Sequence, residues 1–339
     1  YTHLFRNSKK VELNGRYTHH AIYDETIKFI KDNKDKPFFL YCPWTPPHAA
    51  YQIPEDEPAW QIYKDKPWKK DAKVVAAMDT MMDRQVGEIT ALLKKLGIYE
   101  NTLMFFTSDN GAAKRFDGVH NSCGVMQGHK RSLNEGGIRV PMIVSWPGVI
   151  DEGSKTDHIS AFWDVFPTVA EVLKIDSPNN IDGISFLPTL NGNDESQNQH
   201  EYLYWEFHEK GGRQAVRKGN WKAVKYDVFK GKESKIELYD LENDPHEIRN
   251  LASDPRHLEK LAELRSAHLA WTKETNDLGH LDETELIKKL WPPAGVQPTT
   301  ASPTISLQKS RRQGEPSTIS IGCQTAGASI AYRLSKSSR

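Results

Sequence analysis

Three short stretches of this 339-residue chain carry side chains suited to acting on an anionic ester. Asp109-Asn110-Gly111 directly follows a continuous apolar run, Thr102-Leu-Met-Phe-Phe-Thr107. A carboxylate beside an amide oxygen suits a hard divalent cation such as Ca²⁺, which takes roughly six to eight oxygens, so further ligands would have to come from elsewhere. Asp-Asn-Gly is equally a common turn signal. His48 follows Pro46-Pro47, whose rings restrict where the imidazole can point. Held at the end of a strand, that imidazole could give a proton to a leaving group; alone, it is also an ordinary surface histidine. Lys130, in Gly128-His129-Lys130, is a compact cation that could hold an anionic group or offset developing negative charge, or could simply be solvated. Glu135-Gly-Gly-Ile-Arg139-Val-Pro141 follows; its paired glycines permit close backbone approach, and Glu135 can pair with Arg139.

The elements around these stretches read as alternating strands and helices. Apolar residues at helical spacing run from Ile22 to Ile30, and Lys36-Pro37 separates them from a short buried-strand candidate, Phe38–Tyr41. Val75, Met78, Met82, Val86, Ile89, Leu93 and Leu96 step by three and four, predicting a long amphipathic helix that Gly97 ends. Thr102–Thr107 and Ile138–Trp146 read as strands covered on both faces, and Trp163–Leu173 as a helix. This pattern predicts an α/β fold with a mostly parallel sheet flanked by helices, where ligands gather at the carboxyl ends of strands. Short strand-like pieces between residues 202 and 239 predict a smaller antiparallel sheet, followed by a helix over Leu258–Trp271. The expected domains are residues 1–198, the C-terminal portion of a catalytic α/β domain; 199–291, a small α+β subdomain; 292–317, a Pro/Thr/Ser-rich linker; and 318–339, a truncated β-type module or disordered tail.

Forty-five basic residues balance forty-five acidic ones, which favours neither nucleic acid nor membrane as a partner. Residues 292–339 hold six Lys or Arg against one Glu, or +5, leaving −5 for residues 1–291. No apolar run approaches the roughly 20 residues of a membrane span. The start at Tyr1 has no signal-peptide pattern and suggests a truncated beginning. Cys42, Cys123 and Cys323 are too few and too scattered for a disulfide framework or a zinc site.

The order of His48 after two prolines, Ser108-Asp-Asn-Gly111 after a strand, and Gly-x-Lys130 with Glu135-Gly-Gly-x-Arg-Val-Pro141 resembles the second half of the type I, formylglycine-dependent sulfatase pattern. Lys36-Pro-Phe-Phe-Leu-Tyr41, Trp146-Pro-Gly148, Asp164-Val-Phe-Pro-Thr168, Asp182-Gly183 and Leu238–Pro245 leading to Asn250-Leu-Ala252 extend the resemblance over residues 1–276. It implies an alkaline phosphatase-like sheet. It further implies that Asp109 and Asn110 ligate calcium, that His48 and Lys130 contact the sulfate and assist the departing oxygen, and that a formylglycine is the nucleophile. No Cys or Ser in the sequence has Pro at +2 and Arg at +4; Ser253-Asp-Pro-Arg256 comes nearest, one place early. The resemblance therefore predicts the C-terminal part of a sulfatase whose N-terminal nucleophile segment is absent, inactive by itself.

The expected substrate is a sulfated carbohydrate or aryl sulfate, met by Glu206, His208 and Arg213, with Asp117 and His120 as further cleft candidates. The same residues could instead be ordinary surface positions of the small sheet. The resemblance also implies an exported protein, periplasmic or extracellular, matured by a formylglycine-generating or anaerobic sulfatase-maturating enzyme. Thr318–Leu334 reads as two strands split by a turn, similar to the start of the β-sandwich appended to chitobiase-like glycosidases. Two alternatives keep the same fold: a phosphate or phosphonate ester hydrolase, and a non-catalytic binder of sulfated glycans.

Overall fold

The computed structural model describes residues 4–275 except 117, residue 277, and residues 304–308 and 318–322. The chain divides into two compact units, Tyr1–Asp277 and Leu278–Arg339. Of the second unit, strands β9 (Thr304–Gln308) and β10 (Thr318–Gly322) are described; they pair antiparallel, Thr318 opposite Gln308. β9 lies within the stretch expected as a linker, and the second strand expected before Leu334 falls outside the described residues.

In the first unit a hairpin of β1 (Leu4–Arg6) and β2 (Lys9–Val11) leads to α1 (Thr18–Asn33), α2 (Pro58–Tyr63) and α3 (Lys70–Lys95). Helix α3 forms where the three-and-four spacing placed it. Val74, Ala77, Met78, Met81 and Gln85 make its buried face, with Asp71 in the first turn and Lys94 and Lys95 in the last, each at the end of the helix dipole that suits its charge. Ala59 of α2 packs with Ala77 and Met81 of α3.

The expected strand forms as β3 (Met104–Thr107), but it is not covered on both faces: none of its residues is buried and Phe106 is exposed. Its ladder partner, β4 (Met142–Ser145), follows the one-turn helix α4 (Glu135–Ile138) and runs antiparallel, with Met104 opposite Ser145 and Thr107 opposite Met142. Every sheet among the described residues is antiparallel, so the expected mostly parallel, alkaline phosphatase-like sheet is corrected to an α/β fold with antiparallel sheets. The physical reason is that a run of apolar residues predicts a strand with covered faces but carries no information on its neighbour's direction. Phe38–Tyr41 forms no ladder: Phe38 meets Phe29 of α1 edge-on at 5.8 Å, while Phe39 and Tyr41 are 74% and 75% exposed.

The next joint is polar and buried. It precedes α5 (Val165–Val172) and reaches forward to α6 (Leu187–Leu190). The Asp164 carboxylate accepts the N–H groups of Ala161 (2.7 Å) and Ile184 (2.8 Å) and lies 2.8 Å from His200 Nε2. Thr168 Oγ1 donates to the Asp164 carbonyl and accepts the Phe186 N–H. A β-carbon on Gly183 would stand 2.0 Å from the Trp163 carbonyl oxygen. The Asp164–Thr168 and Asp182-Gly183 strings therefore form one structural joint.

The small sheet is an antiparallel meander, as expected: β5 (Leu203–Phe207), β6 (Arg213–Lys218), β7 (Trp221–Tyr226) and β8 (Lys235–Asp240). Strand alternation gives it two occupied faces. Tyr204, Val216 and Leu238 pack on Leu264 of α7 (Leu258–Glu274), whereas Ala215, Val224 and Tyr239 pack on Leu133 from the segment before α4.

Replacing Asp164 by Ala leaves two backbone donors without their buried acceptor. We expect a loss of about 3 kcal/mol or more, read as a lower urea midpoint at unchanged slope.

Candidate functional site

Three glycines bring the chemically loaded segments together. Gly111 N–H donates to the Gly137 carbonyl (2.9 Å), Lys130 N–H to that of Ala112 (2.8 Å) and Gly136 N–H to that of Gln127 (2.8 Å). A β-carbon on Gly111 would sit 1.9 Å from Gly136 O, one on Gly136 2.4 Å from Gly128 O, and one on Gly137 2.1 Å from Ser132 O. No side chain fits at these places, so the turn after β3, the Lys130 loop and α4 touch backbone to backbone. Asn110 and Lys130 are thereby set on adjoining turns.

Among the described residues no hydrogen bond or ring contact joins His48 to this junction; a residue three positions on packs beside it. The His48 ring is exposed, with Nδ1 2.9 Å from the Ala49 carbonyl oxygen. Three residues on, Tyr51 meets Phe116 edge-on at 5.2 Å, in a cluster with Ala113 and with Ala72 and Val75 of α3. Ala113 directly follows the Ala112 that accepts the Lys130 N–H. Among the described residues no hydrogen bond or ion pair joins the side chains of His48, Asp109, Asn110 and Lys130 to one another; backbone contacts and packing align their segments.

The donors present do not fit the expected calcium. Among the described residues no group of three or more His, Cys, Asp or Glu side chains is placed to hold a metal ion. Asp109 is exposed, and the Asn110 amide nitrogen donates to its neighbour's carbonyl, Gly111 O, at 3.2 Å. One carboxylate and one amide fall well short of the roughly six oxygens such an ion demands. The assignment of Asp109 and Asn110 as Ca²⁺ ligands is therefore corrected: they form the turn that meets α4.

The nominated substrate residues separate. Glu206 accepts from Tyr204 OH and from Gln214 Nε2 (2.8 Å), and both donors lie within 3.2 Å of His268 Nε2 on α7. His208 Nε2 is 3.3 Å from Glu206 Oε2. This group belongs to the α7 side of the sheet. Arg213 faces the other way: its Nη1 donates to the Arg131 carbonyl (2.6 Å), beside Lys130, and its guanidinium lies over the Tyr226 ring. His120 packs against α3, with Nε2 2.9 Å from Ala72 O, and Asp117 lies outside the described residues. Next to Lys130 opens a pocket of about 440 Å³ with Lys114, Asn121, Gln127, His129 and Asn134 on its wall.

A buried ionic cluster escaped the sequence reading. Lys222 of β7 is fully buried, with Nζ 2.8 Å from Glu135 Oε1 and 3.0 Å from Glu247 Oε1, the latter an ion pair without hydrogen-bond geometry. Glu247 Oε2 accepts the Glu135 N–H at 2.6 Å, and Arg217 Nη1 lies 3.6 Å from Glu135 Oε2. The anticipated partner, Arg139, is exposed and 4.0 Å away. Strand alternation in Trp221-Lys-Ala-Val-Lys-Tyr226 does put Lys222 on the side of Val224 and Tyr226, which was the available signal. Its carboxylate partners lie 87 and 25 positions away and left no local trace.

Burial pushes the Glu135 carboxyl up, but Lys222 above all, with Arg217 and Arg139, outweighs it and holds the group below its ordinary value. Burial dominates at Glu247 and raises its carboxyl despite Lys222. A depressed folded-state value means that Glu135 contributes stability above its unfolded pKa, and that this is lost as pH falls through the folded value. Glu135→Gln is therefore expected to cost about 3 kcal/mol at pH 7. The gap from wild type should narrow in urea titrations as the pH drops below about 4; a gap that stays constant with pH refutes the assignment.

Comparison with known proteins identifies the family. A family model described as Sulfatase matches residues 1–175, and one described as N-sulphoglucosamine sulphohydrolase, C-terminal, matches residues 127–274. An ulvan-active sulfatase of Formosa agariphila is 25% identical over 322 residues, 84% of this chain and 50% of its own length. An N-acetylgalactosamine-6-O-sulfatase of Bacteroides thetaiotaomicron is 30% identical over 266 residues, 72% and 49% of the two chains. The solved structure of Ps i-CgsB in complex with k-i-k-neocarrahexaose superposes with a TM-score of 0.71 at 29% identity, covering 86% of this chain and 63% of that one. The chain thus spans about half the length of these curated relatives. The Sulfatase match begins at residue 1, which overturns the expectation that the family's N-terminal segment is absent. The formylglycine assigned to that absent segment is withdrawn with it, and because the sequence holds no Cys/Ser-x-Pro-x-Arg string, no residue is assigned as nucleophile. From the backbone junction to the small sheet, the chain belongs to the sulfatase family.

Proposed function

We propose that this protein hydrolyses sulfate esters carried by a carbohydrate, acting outside the cytoplasm where sulfated polysaccharides are met. The observation that carries this reading is the glycine junction, which sets Lys130 on the turn beside Asn110 and next to a pocket walled by Lys114, His129 and amide side chains. Cations suit an esterified sulfate, and the exposed Asn121 and Gln127 offer the amide hydrogen bonds that sugar hydroxyls accept and donate. The relatives named for ulvan and for N-acetylgalactosamine-6-O-sulfate, and the structure holding a neocarrahexaose, support a polysaccharide substrate. No helix among the described residues is long and apolar enough to cross a membrane.

In the reaction an oxygen nucleophile attacks sulfur, the S–O bond to the sugar breaks, and the departing oxygen takes a proton. Lys130 holds the sulfate oxygens and offsets the charge that builds as the bond stretches. His48, exposed at the end of its loop, supplies the proton to the leaving oxygen. Arg213 braces Arg131 and so sets the direction of the Lys130 loop.

Two substitutions test these roles in sulfate-release assays on sulfated sugars and on nitrophenyl sulfate. Lys130→Ala should lower kcat/KM by about 10²–10³-fold on both. His48→Ala should lose about 10²-fold or more on the sugar and much less on nitrophenyl sulfate, whose leaving group needs no proton. Equal losses on the two substrates would remove His48 from the acid role. Phosphate release from the corresponding phosphate esters, with no sulfate release, would overturn the reading.

A further inference from the structure

We infer that Lys222, Glu135 and Glu247 form a positioning latch by which the small antiparallel sheet fixes the loop bearing Lys130 against the turn bearing Asn110.

One face of the sheet contacts residues 131–135 almost position by position. Arg213 reaches the Arg131 carbonyl, Ala215, Val224 and Tyr239 pack on Leu133, Tyr226 OH donates to Asn134 Oδ1 (2.7 Å), and Lys222 and Arg217 meet Glu135. The ionic group is the deepest of these contacts: Lys222 and Glu247 are fully buried and Glu135 nearly so. Lys222 and Arg217 approach Glu135, and Lys222 also approaches Glu247, so each buried carboxylate meets a cation. Glu247 holds a left-handed backbone (φ +55°) that a residue with a β-carbon disfavours, and from there its Oε2 takes the Glu135 N–H at the first turn of α4.

The next two residues are Gly136 and Gly137, whose backbones hold Gln127 and Gly111. Two hydrogen-bonded routes therefore start at the latch, one through Gly137 to the 109–111 turn and one through Gly136 to the Lys130 loop. Lys222 touches neither; its effect on the site passes through Glu135.

The test is amide hydrogen exchange on the full chain, comparing wild type with Lys222→Met. The expected result is a loss of protection of about tenfold or more at the Gly111, Lys130, Gly136 and Gly137 amides, with β5–β8 and α7 retaining theirs. Lys222→Arg, which keeps the charge, should restore most of it. If Lys222→Met does not fold, the neutral set Lys222→Met/Glu135→Gln/Glu247→Gln removes the unpaired charges. It should fold and still show the loosened junction. Unchanged protection at the four amides overturns the latch, and so does equal loss across β5–β8 and α7, which would make the cluster a general determinant of the fold.

The consequence for turnover rests on the role proposed for Lys130: Lys222→Met should lower kcat while KM moves little. A wild-type chain that releases no sulfate would defeat that role, and the exchange result would still judge the latch.

Discussion

The arrangement depends on the absence of three β-carbons. At Gly111, Gly136 and Gly137 the backbone of one segment occupies the space that a side chain of another would need, at separations near 2 Å that no real contact allows. Close backbone approach makes hydrogen bonds between carbonyls and amides of different loops possible, and these bonds, rather than side-chain contacts, align Asn110 with Lys130. Turns held this way have little freedom to drift, which suits the sulfate-binding role proposed for this junction.

The small sheet backs the backbone junction. Its α7 side is an ordinary core of Tyr204, Val216, Leu238 and Leu264, and this anchors the strands. The other side combines an apolar patch around Leu133 with Arg213, Arg217, Lys222 and Tyr226, each bonded or paired to the segment just before the glycines or entering them. Apolar packing and the polar contacts hold this interface together, and removing one member of the buried ion cluster would leave an uncompensated charge.

What the sequence disclosed follows the range of the interactions. Helix α3 and the small meander were legible because their signals, three-and-four spacing and short alternating runs between turns, are local. The direction of the β3–β4 pair was not, since antiparallel pairing of Met104 with Ser145 depends on the route of about forty intervening residues and leaves no mark on either strand. Phe38–Tyr41 shows the same limit: its composition is that of a buried strand, yet two of its aromatic rings stay exposed. The paired glycines at 136 and 137 permit close approach, and the backbone there makes it. Lys222 was invisible as a site residue because a lysine in a strand ordinarily faces water, and the carboxylates that draw it inward come from distant loops.

The family strings divide by physical role in a way that their order alone does not reveal. Asp164, Thr168 and Gly183 spend their polar atoms and their lack of bulk on one another's backbones, so that joint is structural. The Asn110 amide is likewise bound to the Gly111 carbonyl of its own turn, and Glu135 to Lys222 of β7. Lys130 and His48 differ. The lysine is held by its backbone N–H and the histidine by a bond to the next residue's carbonyl, and neither side chain is paired with a carboxylate among the described residues. A lysine or histidine without an internal carboxylate partner suits the roles proposed for Lys130 and His48, because any internal counter-ion would have to be displaced when an anionic substrate binds. That contrast, more than the string match, favours Lys130 and His48 for the proposed chemistry over the residues bound into the scaffold.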